Sequence, residues 1–170
     1  MVTQDKSRHL KGDYVVYKKR GIYIIDDIRK EKIAGEQKSY YVLKSVYDAN
    51  VSVYVPLDNE ELVSRMDKVL SSDEIEHIIA KSHTVELKCC EDANEVKNYY
   101  EEIFADDDLS VVIALMKSLA EKKRVTSLSK GRFAAADERA LGNCQKILCE
   151  AFAFSLGMEK GDIIAYIMEK

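Results

Sequence analysis

The sequence predicts an α+β protein in two parts: a small β-barrel or strongly bent sheet, then a compact all-α domain. Three observations carry that expectation. Between Gly12 and Asn59, β-branched and tyrosyl residues fall in short runs punctuated by glycines. The only proline, Pro56, closes that stretch. Beyond it the apolar period changes from two to the helical 3.6.

Strands are expected at Tyr14–Tyr17, Gly21–Ile25, Tyr40–Val46 and Val51–Val55. Gly12 and Asp13 open the first, and Gly21 permits a sharp bend between the first two. Ala34-Gly35-Glu36 supplies a turn in which φ can be positive, and Asp48-Ala49-Asn50 joins the last hairpin. Some five strands in about 50 residues suit an SH3-like or Tudor-like barrel.

The helical part begins with Ser71-Ser72-Asp73-Glu74, a capping box with Ser71 as N-cap, followed by an Ile75, Ile78, Ile79 stripe. Leu109, Val112, Ile113, Met116, Leu119 and Ala120 mark an amphipathic helix capped by Asp106-Asp107-Asp108. Leu141, Cys144, Leu148, Phe152 and Ser155 mark a longer helix stopped near Gly157. Ile163, Ile164 and Ile167 share one side of a last helix, Asp162 to Met168. The boundary falls between Asp58 and Ser71, giving domains 1–70 and 71–170. With no Gly/Ser linker there, two touching domains are expected.

Composition narrows the function. At 170 residues, 46% of them hydrophobic, the chain can bury a core, and no run approaches the roughly 18 apolar residues of a spanning helix. The N-terminus lacks a signal-peptide core, so a soluble cytoplasmic protein with no membrane partner is expected. Cys89, Cys90, Cys144 and Cys149 form no CxxC pair and are expected to be reduced and mostly buried. His9, His77 and His83 lack metal-ligand spacing and are expected to be exposed or capping. With no GxSxG, HExxH or GxxxxGK[ST], neither a catalytic centre, a metal nor a cofactor is expected.

Charge is uneven along the chain. Residues 71–108 hold 3 basic and 12 acidic side chains, a net of −9, while 117–132 hold 6 basic and 1 acidic, a net of +5. A local basic stripe beside an acidic belt leaves nucleic acid open as a partner.

Taken together, GDYVVY, Gly21, IAGEQKSYYVLK and VSVYVPLDN over residues 12–57 resemble the N-terminal domain of the CarD/CdnL transcription regulators, a module shared with transcription-repair coupling factors. YEEIFADDDLSVVIALMKSL, Leu128-Ser129 and ALGNCQKILCEAFA continue the resemblance into the helical part. The resemblance implies a non-enzymatic regulator. Its Tudor-like domain would bind the β subunit of bacterial RNA polymerase, and its helical domain would contact promoter DNA and stabilise the open complex. The polymerase-binding strand would be Val51, Ser52, Val53, Tyr54 and Val55, offered as a sheet edge to a partner strand. Read as residues alone, Val51, Val53 and Val55 equally suit a barrel interior, which leaves Ser52 and Tyr54 on the other face.

The chain departs from the family where DNA would be met. It has no tryptophan, Tyr100 matches the family tyrosine, and Asn98 and Tyr99 stand at the arginine pair. Val96 or Tyr99 are then the candidate minor-groove wedges. Phosphate contacts would fall to Lys117, Lys122, Lys123, Arg124, Lys130 and Arg132, giving weak, sequence-independent binding; a solvated helix end accounts for the same cations. Tyr54 stands where an arginine is common. The alternative reading is a protein-interaction adaptor that has lost the DNA role. Oligomeric state is not legible.

Overall fold

The computed structural model describes residues 9–17, 21–33, 35–106 and 108–170. The chain divides into two compact units, Met1–Val69 and Leu70–Lys170. Among the described residues no helix is long and apolar enough to cross a membrane.

The first unit is an antiparallel sheet of β1 (Tyr14–Tyr17), β2 (Gly21–Ile33), β3 (Glu36–Ser45), β4 (Ser52–Pro56) and β5 (Met66–Lys68), with the short helix α1 (Glu60–Val63). Its order is β4-β3-β2-β1-β5. The ladder is open, with β4 and β5 as its ends, so strand pairing among the described residues does not close the barrel expected from sequence. One face carries the core: Val15, Tyr17, Ile25, Tyr41, Leu43, Val55 and Met66, with Leu57, Leu62 and Val63 packed against it.

Gly12 (φ 94°) turns the chain into β1, its N–H donating to the Ile25 carbonyl at 2.8 Å. The bend expected at Gly21 falls on residues 18–20, outside the described residues, whereas Gly21 itself has a clear role. It pairs with Tyr17, and a Cβ there would lie 2.7 Å from the Tyr23 ring. The missing side chain makes room for Tyr23, whose ring meets Tyr17 edge-on at 6.3 Å.

β2 runs eight residues past its expected end at Ile25. The reason is a β-bulge. Ile25 pairs with Leu43 but Asp27 pairs with Val42, so Asp26 is left over. Ile25 and Ile28, three apart, therefore both face the core beside Leu43 and Tyr41, which breaks the period of two. From Arg29 to Lys32 the strand is charged and exposed, and the pairing with the first half of β3 continues as far as Ile33↔Glu36. Ala34, in the expected turn, lies outside the described residues; Gly35 has φ 89°.

The second unit contains α2 (Ser72–Ser82), α3 (Ala93–Ala105), α4 (Leu109–Leu128), α5 (Ala135–Leu156) and α6 (Lys160–Glu169). The Ser71 capping box forms in full, with Ser71 Oγ accepting from the Glu74 N–H at 3.2 Å and Glu74 accepting from the Ser71 N–H at 2.7 Å. The central helices α4 and α5 bury Val112, Ile113, Leu115, Met116 and Leu119 against Leu141, Cys144, Leu148 and Phe152. Ile75 and Ile79 of α2, Ile103 of α3, and Ile163 and Ile167 of α6 complete this core. Gly157 (φ 60°) stops α5 in a Schellman turn, the Met158 N–H reaching the Ala153 carbonyl at 3.0 Å.

Several expectations change. The three aspartates do not act as one cap: Asp106 ends α3, Asp108 caps α4 through the Ser110 N–H at 3.0 Å, and Asp107 lies outside the described residues. Of the cysteines, Cys144 alone is buried, and burial pushes its thiol up to about 12; Cys89 is exposed. His9 is buried, its ring edge-on to Tyr41 at 6.2 Å, because an aromatic core residue offers it more than solvent does.

Candidate functional site

Two places follow from the residues upward, one in each unit. In the first, β4 is an end strand. It pairs with β3 through Tyr40↔Pro56, Tyr41↔Val55, Val42↔Tyr54, Leu43↔Val53 and Lys44↔Ser52. Flanking bonds fix which backbone groups face inward: the Ser45 N–H donates to the Val51 carbonyl and the Leu57 N–H to the Ser39 carbonyl. Antiparallel bonding alternates, so Val53 and Val55 also bond to β3, and the N–H and C=O of Ser52 and Tyr54 point away from the sheet. Pro56, with no N–H, ends that open edge.

Side chains divide with the same parity. Val55 is fully buried and Val53 packs on the core, so these two candidates are structural in their side chains. Val51 is partly exposed. Tyr54 is 54% exposed and stands opposite Val42, which is itself buried. Beyond Pro56 lies a shallow depression lined by Lys38, Tyr40, Asp58, Asn59 and Glu60. The edge thus presents two N–H and C=O pairs and an exposed tyrosine to an incoming strand.

In the helical unit the structure redistributes the expected cations. α4 continues to Leu128, so Lys122, Lys123 and Arg124 lie inside the helix, and its last turn carries no basic residue. Each of the three has a carboxylate. Lys122 Nζ is 2.6 Å from Asp137 Oδ2, Lys123 Nζ 2.7 Å from Glu138 Oε1, and Arg124 forks onto Glu121 at 2.7 and 2.8 Å. The fork lowers the Glu121 carboxyl and raises the guanidinium. Helix-dipole pairing therefore does not explain these cations. Lys117, Lys130 and Arg132 make no ion pair among the described residues.

Asp137 is the centre of this arrangement and was not singled out by sequence. It is 2% exposed in the first turn of α5, accepts the Tyr100 hydroxyl at 2.7 Å through Oδ1 and forms an ion pair with the Lys122 ammonium through Oδ2. Burial, then the bond to Asp137, raises the Tyr100 phenol far above its ordinary value. Tyr100 on α3, Lys122 on α4 and Asp137 on α5 thus tie three helices through one buried carboxylate.

The candidate wedges on α3 are constrained. The Tyr99 hydroxyl accepts the Lys88 N–H at 3.0 Å and its ring packs on the core; Val96 is half-buried. Around them α3 exposes Asn94, Lys97, Asn98, Glu101 and Glu102.

α4 ends in a second Schellman turn. The Gly131 N–H donates to the Thr126 carbonyl at 2.9 Å and the Lys130 N–H to the Ser127 carbonyl at 3.2 Å. Lys130, at φ 52°, holds the left-handed position that glycine usually fills.

Against protein-family models, residues 10–68 match the CarD-like/TRCF RID domain. The match takes in every strand from β1 to β5 and stops at Lys68, the last residue of β5. The open edge of β4 therefore belongs to a CarD-like/TRCF RID module carried by this chain at residues 10–68.

Proposed function

We propose that this chain is a transcription regulator that docks on RNA polymerase through residues 1–70 and meets promoter DNA through residues 71–170. The match of residues 10–68 to the CarD-like/TRCF RID domain carries the reading. The docking partner is the β subunit, engaged by strand addition along Ser52 and Tyr54, and the docking domain is Tudor-like in fold. The chain performs no chemistry; it stabilises one polymerase–promoter state by binding it better than the others.

The test is binding of the full chain to purified bacterial β subunit. Wild type is expected to bind with micromolar affinity or better. Tyr54→Pro deletes an outward N–H without touching the β3 ladder, so it should weaken binding by about tenfold. Tyr54→Ala reads the side chain separately. Unchanged binding by Tyr54→Pro would refute strand addition at β4, and no binding by folded wild type would refute β-subunit docking.

A second reading is favoured by the ion pairs of Lys122, Lys123 and Arg124 and by exposed Glu101 and Glu102. In it the helical unit is a protein-interaction adaptor. Salt separates the two, because phosphate contacts release counterions and an adaptor has none to release to DNA.

A further inference from the structure

Backbone pairing along the open edge of β4 has a fixed end. Pro56 has no N–H, and its carbonyl accepts the Asn59 N–H at 3.3 Å, so an incoming strand can bond no further than Tyr54. The next residue of that strand on the same face, two positions on from the one facing Tyr54, falls beside Pro56. The shallow depression begins there. Tyr40 pairs with Pro56, and Lys38 lies two residues before Tyr40. All three therefore share the sheet face opposite the core of Tyr41, Leu43 and Val55.

Charge is sorted between the two faces of the β2–β3 ribbon. The register puts Glu31 opposite Lys38 and Glu36 opposite Ile33 on the face of the depression, and Lys30 opposite Ser39 and Lys32 opposite Gln37 on the other. Arg29 shares the depression's face, but Asp27 engages it at 3.2 Å. Lys38 is the one cation lining the depression among the described residues, and it reaches Asp58 only at 3.7 Å. Glu60, on the same wall, is exposed and makes no ion pair among the described residues. The depression thus sets two apolar surfaces, Tyr40 and Pro56, beside two carboxylates on a net acidic face.

We infer that this depression is the specificity pocket of the docking edge, and that it takes a basic side chain, lysine or arginine, from the partner strand. The aliphatic stem lies along Tyr40 and Pro56, and the charged head meets Asp58 and Glu60. An acidic side chain at that position is repelled by the same two carboxylates. Main-chain bonds along Ser52 and Tyr54 supply affinity without reading sequence, and the pocket supplies the selection. This inference rests on the strand-addition reading above and names the side chain that the edge selects.

The experiment titrates the full chain against purified bacterial β subunit at low and at physiological salt. Glu60→Gln should weaken binding about threefold and Glu60→Lys about tenfold at low salt, with smaller effects as salt screens the pair. Asp58→Asn, which lies outside α1, should weaken binding about threefold without touching that helix. Lys38→Gln should tighten binding about twofold, because it removes the competing cation; a purely structural role for Lys38 gives no such gain. Unchanged binding by both Glu60→Lys and Asp58→Asn, with Tyr54→Pro still disruptive, overturns the pocket and leaves strand addition standing. Tighter binding by Glu60→Lys with weaker binding by Lys38→Gln assigns the depression to an acidic group and also overturns it. Absence of binding by folded wild type removes the docking reading and this inference together.

Discussion

The two units handle partners in opposite ways. In the sheet, recognition is assigned to backbone: β4 leaves the N–H and C=O of Ser52 and Tyr54 open because no strand among the described residues lies beyond it. In the helical unit it falls to side-chain charge, and there intramolecular partners take half of what the sequence offers. An open backbone edge follows from topology, whereas a basic stripe becomes a binding surface only after each cation has been checked for a carboxylate. Lys122, Lys123 and Arg124 each have one, and Lys117, Lys130 and Arg132 have none among the described residues.

The sharpest way to test the contrast is to remove the carboxylate that takes the most. Asp137→Ala should destabilise the protein by about 1–2 kcal/mol in urea unfolding, because the half-buried Tyr100 hydroxyl loses its acceptor. It should also release Lys122, so DNA affinity at low salt should rise while stability falls. The same network makes a pH prediction. The folded state holds the Tyr100 proton to higher pH than the unfolded chain does, so its contribution is complete below about pH 10 and declines as pH rises further. Tyr100→Phe should remove that part of the alkaline decline, measured as the difference between the two unfolding curves.

Adjacent residues of β4 test the other half. Val55→Ala should cost about 2 kcal/mol, since its side chain is fully buried, whereas Tyr54→Ala should stay within about 0.5 kcal/mol. Similar costs would mean that Tyr54 covers its neighbour instead of waiting for a partner. The smallest effect is expected in the α4–α5 turn, where Lys130→Gly relieves the left-handed backbone and should stabilise by about 0.5–1 kcal/mol in the same assay.

Sequence exposed those features whose causes lie within one or two helical turns. Ser71 and Glu74 form their capping box, Gly157 stops α5, and Cys144, Leu148 and Phe152 form its buried stripe, because caps and periodicity are local. The far half of β2 was hidden by the bulge and by a charged run, DDIRKEK, that is paired yet exposed. β5 was hidden by its length: in Met66–Lys68 one buried residue precedes two charged ones. The site was legible in part. Tyr54 stands out by its alternation with Val53 and Val55, but Asp137 sits fifteen residues from Lys122 and 37 from Tyr100, and only the packing of α3, α4 and α5 brings the three together.

The bulge at Asp26 also governs how this sheet tolerates insertion and deletion. Elsewhere in β2, losing one residue exchanges the faces of every side chain on one side of the lesion. Losing Asp26 exchanges none: Ile25 stays opposite Leu43, Asp27 opposite Val42 and Ile28 opposite Tyr41, and the ladder becomes regular. What disappears is the local bend and an exposed Lys44–Asp26 pair at 3.0 Å, which contributes little. The strand therefore carries one residue of slack, and relatives of differing length at this point would be aligned correctly by placing the gap there.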